Sequence, residues 1–157
     1  MDRFTVIHGL DLVLDPGLAQ LRRYVPVLGV IAAPYAGLNG NHDPLNPLDP
    51  VSEWAILVDA IAAAADRRTS AGAPLALARL APPTSGRLRD ALQAIGPDSF
   101  RIVHIVCYGE RDMLYLEDEN GHEAYVVAEH FARLLASSQV ALVVLDGCFS
   151  HRMAQLL

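Results

Sequence analysis

The chain contains little cysteine and little positive charge. Its two cysteines, Cys107 and Cys148, are too few for the disulfide framework of a small secreted protein. They also argue against a metal site, and we expect no cofactor. Lysine and arginine number 12 against 18 aspartates and glutamates, which gives a formal charge of −6. Because such a surface repels phosphate, we expect no nucleic-acid partner.

The sequence also lacks the segments that direct proteins to membranes. No uninterrupted apolar run approaches the ~18 residues needed to span a bilayer, and residues 1–5 lack the basic-then-apolar order of a secretory signal. We therefore predict a soluble, cytoplasmic protein with no membrane partner. Hydrophobic residues make up 52% of the chain, enough for a substantial core, and the length predicts a single domain over residues 1–157.

Apolar runs alternate with helical patterns along the chain. The runs predicted to be strands are 25–33, 75–80, 100–108 and 140–146. The predicted helices are 50–67, 84–96 and 127–138. Strands joined through helices lie parallel, and nearly continuous apolar runs suit strands that are covered on both faces. The pattern therefore predicts an α/β fold with a mostly parallel central sheet.

Three other segments complete the prediction. Residues 113–117 and 122–126 flank Asn120-Gly121, a strong hairpin signal, so we expect a β-hairpin inserted into the fold. Residues 34–50 are rich in proline, glycine and asparagine and predict a long loop. That loop either shapes a groove or is an irregular excursion. Residues 4–14 predict an edge strand or a short hairpin.

Two of the predicted helices begin with a side-chain cap and carry one apolar face. Asp49 caps the first helix and Thr84 caps the second. The first helix is expected to bury Val51, Trp54, Val58, Ile61, Ala62 and Ala65. The second is expected to bury Leu88, Ala91, Leu92 and Ile95.

Strands 100–108 and 140–146 are expected to be neighbours in the sheet. They are joined through the hairpin and a helix, so they should lie parallel and end at the same edge. The carboxyl edge is where open α/β sheets form their sites. Tyr108 and Cys148 lie at these two strand ends. A cysteine on a strand-to-helix turn is a candidate nucleophile, because the helix N-terminus favours the thiolate; alternatively it is a small buried residue.

Three motifs in this part of the chain resemble those of the CHAT domain, a caspase-like family of cysteine peptidases. They are His104-Ile-Val-Cys-Tyr108-Gly109, Leu114-Tyr-Leu-Glu-Asp-Glu-Asn-Gly121 and Leu145-Asp-Gly-Cys148-Phe-Ser150, and residues 81–92 resemble the family's preceding helix. The resemblance implies a three-layer αβα sandwich of the caspase-like type. It also implies a hydrolase whose substrate is a peptide or a protein.

The resemblance further implies roles for single residues. Cys148 occupies the nucleophile position, and Gly109 belongs to the turn whose N–H helps stabilise the oxyanion. Asp146 helps bind a basic side chain of the substrate, or instead caps the following turn. The family's general base is a histidine, and this chain has Tyr108 there. A tyrosine phenol keeps its proton at neutral pH and is a poor proton acceptor.

The tyrosine at the base position leads us to expect an impaired peptidase, a pseudoenzyme that keeps a groove for a peptide or protein. One alternative is an active endopeptidase that cleaves after Arg or Lys with another base, for which His151 is a candidate. His104 lies four residues before Tyr108, about 13 Å further from the strand end, and is expected to be a core histidine. A second alternative is a doubly wound nucleotide- or flavin-binding domain, but no glycine-rich phosphate motif follows any strand.

The family domain extends further beyond its cysteine than this chain, which ends at Leu157. The resemblance therefore predicts a partial domain without its C-terminal third. Strand 140–146 would then form an exposed apolar sheet edge. We expect either a fragment, or a partner chain that covers this edge, such as a second copy in a homo-oligomer.

Overall fold

A computed structural model gives the fold of the chain. It describes residues 5–6, 24–34, 48–67, 74–96, 99–110 and 112–147. Most of the predicted loop 34–50 and most of the predicted segment 4–14 therefore lie outside the described residues. Within the described ranges the chain forms an α/β fold, as the sequence predicts.

The larger sheet consists of parallel strands. Its members are β1 (Thr5–Val6), β2 (Val25–Ile31), β3 (Leu75–Leu80), β4 (Ile102–Val106) and, later in the chain, β8 (Leu142–Asp146). They lie in the order β1-β8-β4-β2-β3. Ile102 of β4 is opposite Leu142 of β8, and Val106 is opposite Asp146. The prediction that these two strands are parallel neighbours is confirmed.

A second, antiparallel sheet follows β4 directly. It contains β5 (Tyr108–Glu110), β6 (Met113–Glu117) and β7 (Glu123–Val127). The predicted hairpin is confirmed, since β6 pairs with β7 up to Glu117 opposite Glu123. Gly121 has a positive φ of 81° in the turn, a conformation that glycine adopts without strain. The Asp118 carboxylate accepts hydrogen bonds from the N–H groups of residues 120 and 122.

Within the described ranges, three helices connect the strands. They are α1 (Pro50–Arg67), α2 (Ser85–Gln93) and α3 (Ala128–Ala136). Both predicted caps are confirmed. The Asp49 carboxylate accepts from the N–H of Val51 at 3.0 Å, and Thr84 Oγ1 accepts from the N–H of Arg87 at 3.3 Å. These bonds satisfy N–H groups that have no partner within the first turn of a helix.

Alternate side chains of the central strands enter two separate hydrophobic clusters. The larger cluster joins Val103, Ile105 and Val143 to the apolar faces of α2 and α3 and to the inner side of the small sheet. The smaller cluster contains Val27, Ile102 and Leu142, with Ile61 of α1 packed against it. Because successive strand side chains point to opposite faces, the central sheet is covered on both sides.

The apolar faces of two helices differ in part from the prediction. Among the described side chains of α1, residues 50–64, Leu57 is buried with 4% exposed, whereas the predicted core residue Val51 is 71% exposed. The predicted residues Trp54 and Ile61 do face the sheet, Trp54 over Gly29 of β2 and Ile61 against the smaller cluster. The helix is rotated so that Leu57, rather than Val51 or Val58, completes this face. In α2, Leu88 and Leu92 are buried as expected, but Ile95 is 90% exposed because the helix ends at Gln93.

The predicted open edge of strand 140–146 needs a correction. Thr5 and Val6 of β1 pair with Leu142 and Val143 of β8, so the chain covers part of this edge itself. No contact with another chain is required at these two positions. Separately, none of the helices in the described ranges combines the length and the apolar character that crossing a bilayer requires.

Candidate functional site

The predicted strand 100–108 is divided between the two sheets. β4 ends at Val106, and the N–H of Cys107 donates a last hydrogen bond to the carbonyl oxygen of Asp146 at 3.2 Å. The chain then leaves the parallel sheet, and Tyr108 begins β5 opposite Tyr115. Tyr108 is therefore the first residue of the small sheet, immediately beyond the carboxyl end of β4.

Gly147 brings the ends of β4 and β8 into direct contact. A Cβ atom at position 147 would overlap with the carbonyl oxygen of Cys107, so only a glycine permits this approach. The residue before Tyr108 thus touches the residue before Cys148. Cys148 and His151 lie outside the described residues, and their roles stay predictions.

Tyr108 lies in a row of three tyrosines that crosses the small sheet. It is opposite Tyr115, which in turn is opposite Tyr125. Tyr108 is half-buried. Gly109 lies within β5 opposite Leu114, so the expected turn at Gly109 is a strand. The role of its N–H at an oxyanion stays a prediction.

Asp146 and His104 are two ionisable residues near the carboxyl ends of β8 and β4. Asp146 is the last residue of β8, and its side chain is exposed. His104 lies on β4 opposite Val144, two positions before the Val106–Asp146 pair. Burial lowers the pKa of His104, and the negative charge of Asp146 opposes that shift. A neutral, half-buried His104 agrees with the expected core histidine.

Glu117 holds the hairpin against the carboxyl edge of the large sheet, which the sequence analysis did not anticipate. Its Oε1 atom accepts a hydrogen bond of 2.9 Å from the N–H of Ala33, just beyond β2. Its own N–H donates to the carbonyl oxygen of Pro83, and Thr84 forms a parallel bridge with it. Glu117 belongs to the 114–121 motif, which was the one sequence signal for it. Its contact with Ala33 joins residues 84 positions apart, and no local sequence pattern encodes such a contact.

A cluster of phenols and carboxylates on the small sheet has no counterpart among the sequence motifs. Tyr115 donates a hydrogen bond to Glu110 at 2.8 Å, and Tyr125 donates to Glu123 at 2.6 Å. Burial and the Glu110 carboxylate raise the pKa of Tyr115 to about 12. The hydrogen bond that Tyr125 donates to Glu123 is the largest cause of the raised pKa of Tyr125. Both phenols are therefore neutral donors at neutral pH.

The described part of the site contains no cluster of metal ligands, and the comparisons with known proteins give no match for the chain. Within the described ranges, no three His, Cys, Asp or Glu side chains are grouped as a metal ion would need. Comparison with models of protein families gives no match for this chain, and comparison with curated proteins gives no significant match. The geometry around Gly147 and Cys107 is therefore the basis for any proposal about function.

Proposed function

We propose that the chain is a caspase-like CHAT domain with impaired peptidase chemistry, which binds a peptide or protein in the groove that such peptidases use. One observation carries the proposal. The backbones of Gly147 and Cys107 are in contact, and Cys148 and Tyr108 are the residues that follow them in the sequence, which supports the proposed pairing. A nucleophile and a base need this kind of proximity for a proton to pass between them.

The arrangement of helices supports the caspase-like architecture. The apolar faces of α2 and α3 share one hydrophobic cluster, and α1 contributes to the cluster formed by the alternate set of strand side chains. Helices on both faces of a mostly parallel sheet correspond to the proposed three-layer αβα sandwich.

The chemistry available at the sheet edge supports binding more than catalysis. Tyr108 offers a phenol where the family uses an imidazole, and a phenol is a poor proton acceptor at neutral pH. Asp146 is exposed at the end of β8 and is suited to receive a basic side chain of the bound peptide. We therefore propose a ligand with Arg or Lys at the residue that contacts Asp146.

Thiol reactivity tests the proposed pairing of Tyr108 with Cys148. The protein would be treated with iodoacetamide at pH 7, and peptide mass spectrometry would give separate alkylation rates for Cys107 and Cys148. We expect Cys148 to react no faster than free cysteine, because no base activates it. In the Y108H variant we expect the rate to rise at least about tenfold, because an imidazole at hydrogen-bond range acts as a general base.

The control variant is Y125H, which puts an imidazole on the same small sheet at the exposed Tyr125. It should leave the alkylation rate of Cys148 unchanged. A folded Y108H variant with no increase would contradict the assignment of the base position. A wild-type Cys148 that already reacts much faster than free cysteine, together with cleavage of Arg or Lys peptides, would instead support an active peptidase with another base.

A further inference from the structure

One face of the small sheet carries an unusual combination of side chains. Directly opposite residues on neighbouring antiparallel strands point to the same face. The registers therefore group eight side chains on one face: Tyr108, Glu110, Met113, Tyr115, Glu117, Glu123, Tyr125 and Val127. We call this the tyrosine–glutamate face. The opposite face, with Leu114, Leu116 and Val126, belongs to the large hydrophobic cluster.

Hydrogen bonds hold two carboxylates in fixed positions on this face. Glu110 accepts from Tyr115, and Glu123 accepts from Tyr125. The rings of Tyr115 and Tyr125 pack edge to face with centroids 4.8 Å apart, which couples the two pairs. Glu110 and Glu123 both help raise the pKa of Tyr115 and that of Tyr125, so each phenol interacts electrostatically with both carboxylates. The two negative charges are therefore close together and already oriented.

The charge of this face is not balanced within the described part of the chain. None of the eight side chains is basic, and the ion pairs found in the described ranges, Arg89–Asp90 and His122–Asp118, involve neither Glu110 nor Glu123. The Oε2 atom of Glu123 is buried and has no hydrogen-bond partner there.

Part of the face is open to solvent. Tyr125 is 51% exposed and Val127 is 50% exposed, so an aromatic ring and an aliphatic side chain lie beside the carboxylates on a surface that another molecule can reach. Exposed apolar side chains grouped with oriented polar groups are typical of interaction surfaces.

We propose that the tyrosine–glutamate face docks an arginine-bearing segment of another protein. A guanidinium group matches this surface in charge and stacks on an exposed tyrosine ring. Lysine has the charge but not the planar shape, so arginine is preferred. The apolar contact comes from Val127 and the ring of Tyr125. This inference does not rest on the proposed function, because it requires neither Cys148 nor Asp146.

A peptide titration tests the proposal on the full chain. The probe is a short capped peptide with two arginines separated by glycine, and the matched peptide carries citrulline, which keeps the shape but lacks the charge. Binding is followed by amide NMR shifts and calorimetry at low ionic strength. We expect the arginine peptide to shift the signals of residues 123–127 and to bind at least about threefold more tightly than a lysine peptide.

Charge-matched variants separate this face from general acidity. E123Q and E110Q should each weaken binding at least about threefold, and the double variant should weaken it further. E129Q removes one charge from the exposed outer surface of α3 and should change the affinity less than about twofold. Y125F keeps the ring but loses the donor to Glu123 and should weaken binding less than Y125A.

Several results would overturn the proposal. Equal weakening by E129Q and E123Q would mean that the peptide responds only to net charge. Binding of the citrulline peptide with equal affinity would exclude the guanidinium as the recognised group. Shifts confined to the end of β8 would assign the peptide to the Asp146 region instead. Thermal unfolding of each variant verifies that a loss of binding does not come from a loss of fold.

Discussion

At the scale of single residues, Gly147 controls how closely the ends of two strands approach. Its backbone lies against the carbonyl oxygen of Cys107, and the neighbouring hydrogen bond from Cys107 to Asp146 continues the ladder between β4 and β8. The carbonyl oxygen of Cys107 belongs to the backbone, so it cannot move aside by a side-chain rotation. The position therefore tolerates no Cβ atom without a shift of the strand end.

The variant G147A should lower the free energy of unfolding by about 1–3 kcal/mol, the usual cost of overpacking. Urea denaturation measures it. The control is G86A, because a Cβ atom at Gly86 of α2 meets nothing within 4 Å and alanine favours the helix by up to about 1 kcal/mol. Equal stability of G147A and the wild type would show that the two strand ends are not in contact.

Tyr115 makes the stability of the folded protein depend on pH in the alkaline range. The pKa of Tyr115 is about 12 in the folded protein and 10.0 in an ordinary phenol. The folded state therefore keeps a proton that the unfolded state releases. The resulting stabilisation is complete below pH 10 and is lost as the pH rises towards 12.

The variant Y115F has no proton to lose, so its free energy of unfolding should fall less between pH 10 and pH 12 than that of the wild type. Urea denaturation at a series of pH values gives both curves. An ultraviolet titration of the folded wild type should also show a phenol that ionises above the normal range and that is absent from Y115F. Parallel curves for the two proteins would contradict the shifted pKa.

At the scale of elements, α1 shows how tertiary packing selects one face of a helix. Most residues of α1 are apolar, and they are distributed around the whole helix. The spacing of apolar residues alone therefore does not decide which of two adjacent faces is buried. The structure packs Trp54 and Leu57 over Gly29, and it leaves Val51 and Val58 exposed. The guanidinium of Arg79 lies 5.3 Å from the centroid of the Trp54 ring and adds a cation–π contact to the same face.

Two truncations distinguish the observed face from the predicted one. L57A should lower the free energy of unfolding by about 2–5 kcal/mol, because it leaves a cavity between α1 and β2. V51A should change it by less than about 0.5 kcal/mol, because the side chain is already in solvent. Thermal or urea unfolding measures both. A larger effect at Val51 than at Leu57 would restore the face that the sequence predicts.

At the scale of the whole molecule, two hydrophobic clusters share one set of strands. β4 and β8 contribute Val103 and Val143 to the larger cluster and Ile102 and Leu142 to the smaller one. The small sheet joins the larger cluster through β6 and β7. Loss of either cluster therefore removes support from the strands on which the other depends.

Unfolding should consequently occur in one transition. The chain has a single tryptophan, Trp54, whose fluorescence reports on α1 and β2, while near-ultraviolet circular dichroism of the tyrosines reports mainly on the small sheet. Both signals, and the far-ultraviolet signal of the backbone, should give the same urea midpoint. Separate midpoints for Trp54 and the tyrosines would show that the small sheet unfolds independently.

Much of the fold could be predicted because its signals are local. Apolar runs marked the four longer strands of the parallel sheet, Asn120-Gly121 marked the hairpin, and Asp49 and Thr84 marked two helix starts. Each depends on hydrogen bonds or side-chain periods within a few residues. The parallel pairing of β4 with β8 followed from their connection through a helix.

For the site, the sequence alone determined that Tyr108 and Asp146 lie near the ends of neighbouring strands. Only the tertiary structure decided that β4 stops at Val106, that Gly147 lies against Cys107, and that β1 covers part of β8. It also decided that Glu117 binds the N–H of Ala33. These features join segments far apart in the chain, so they depend on how whole elements pack, and no local pattern of residues encodes that packing.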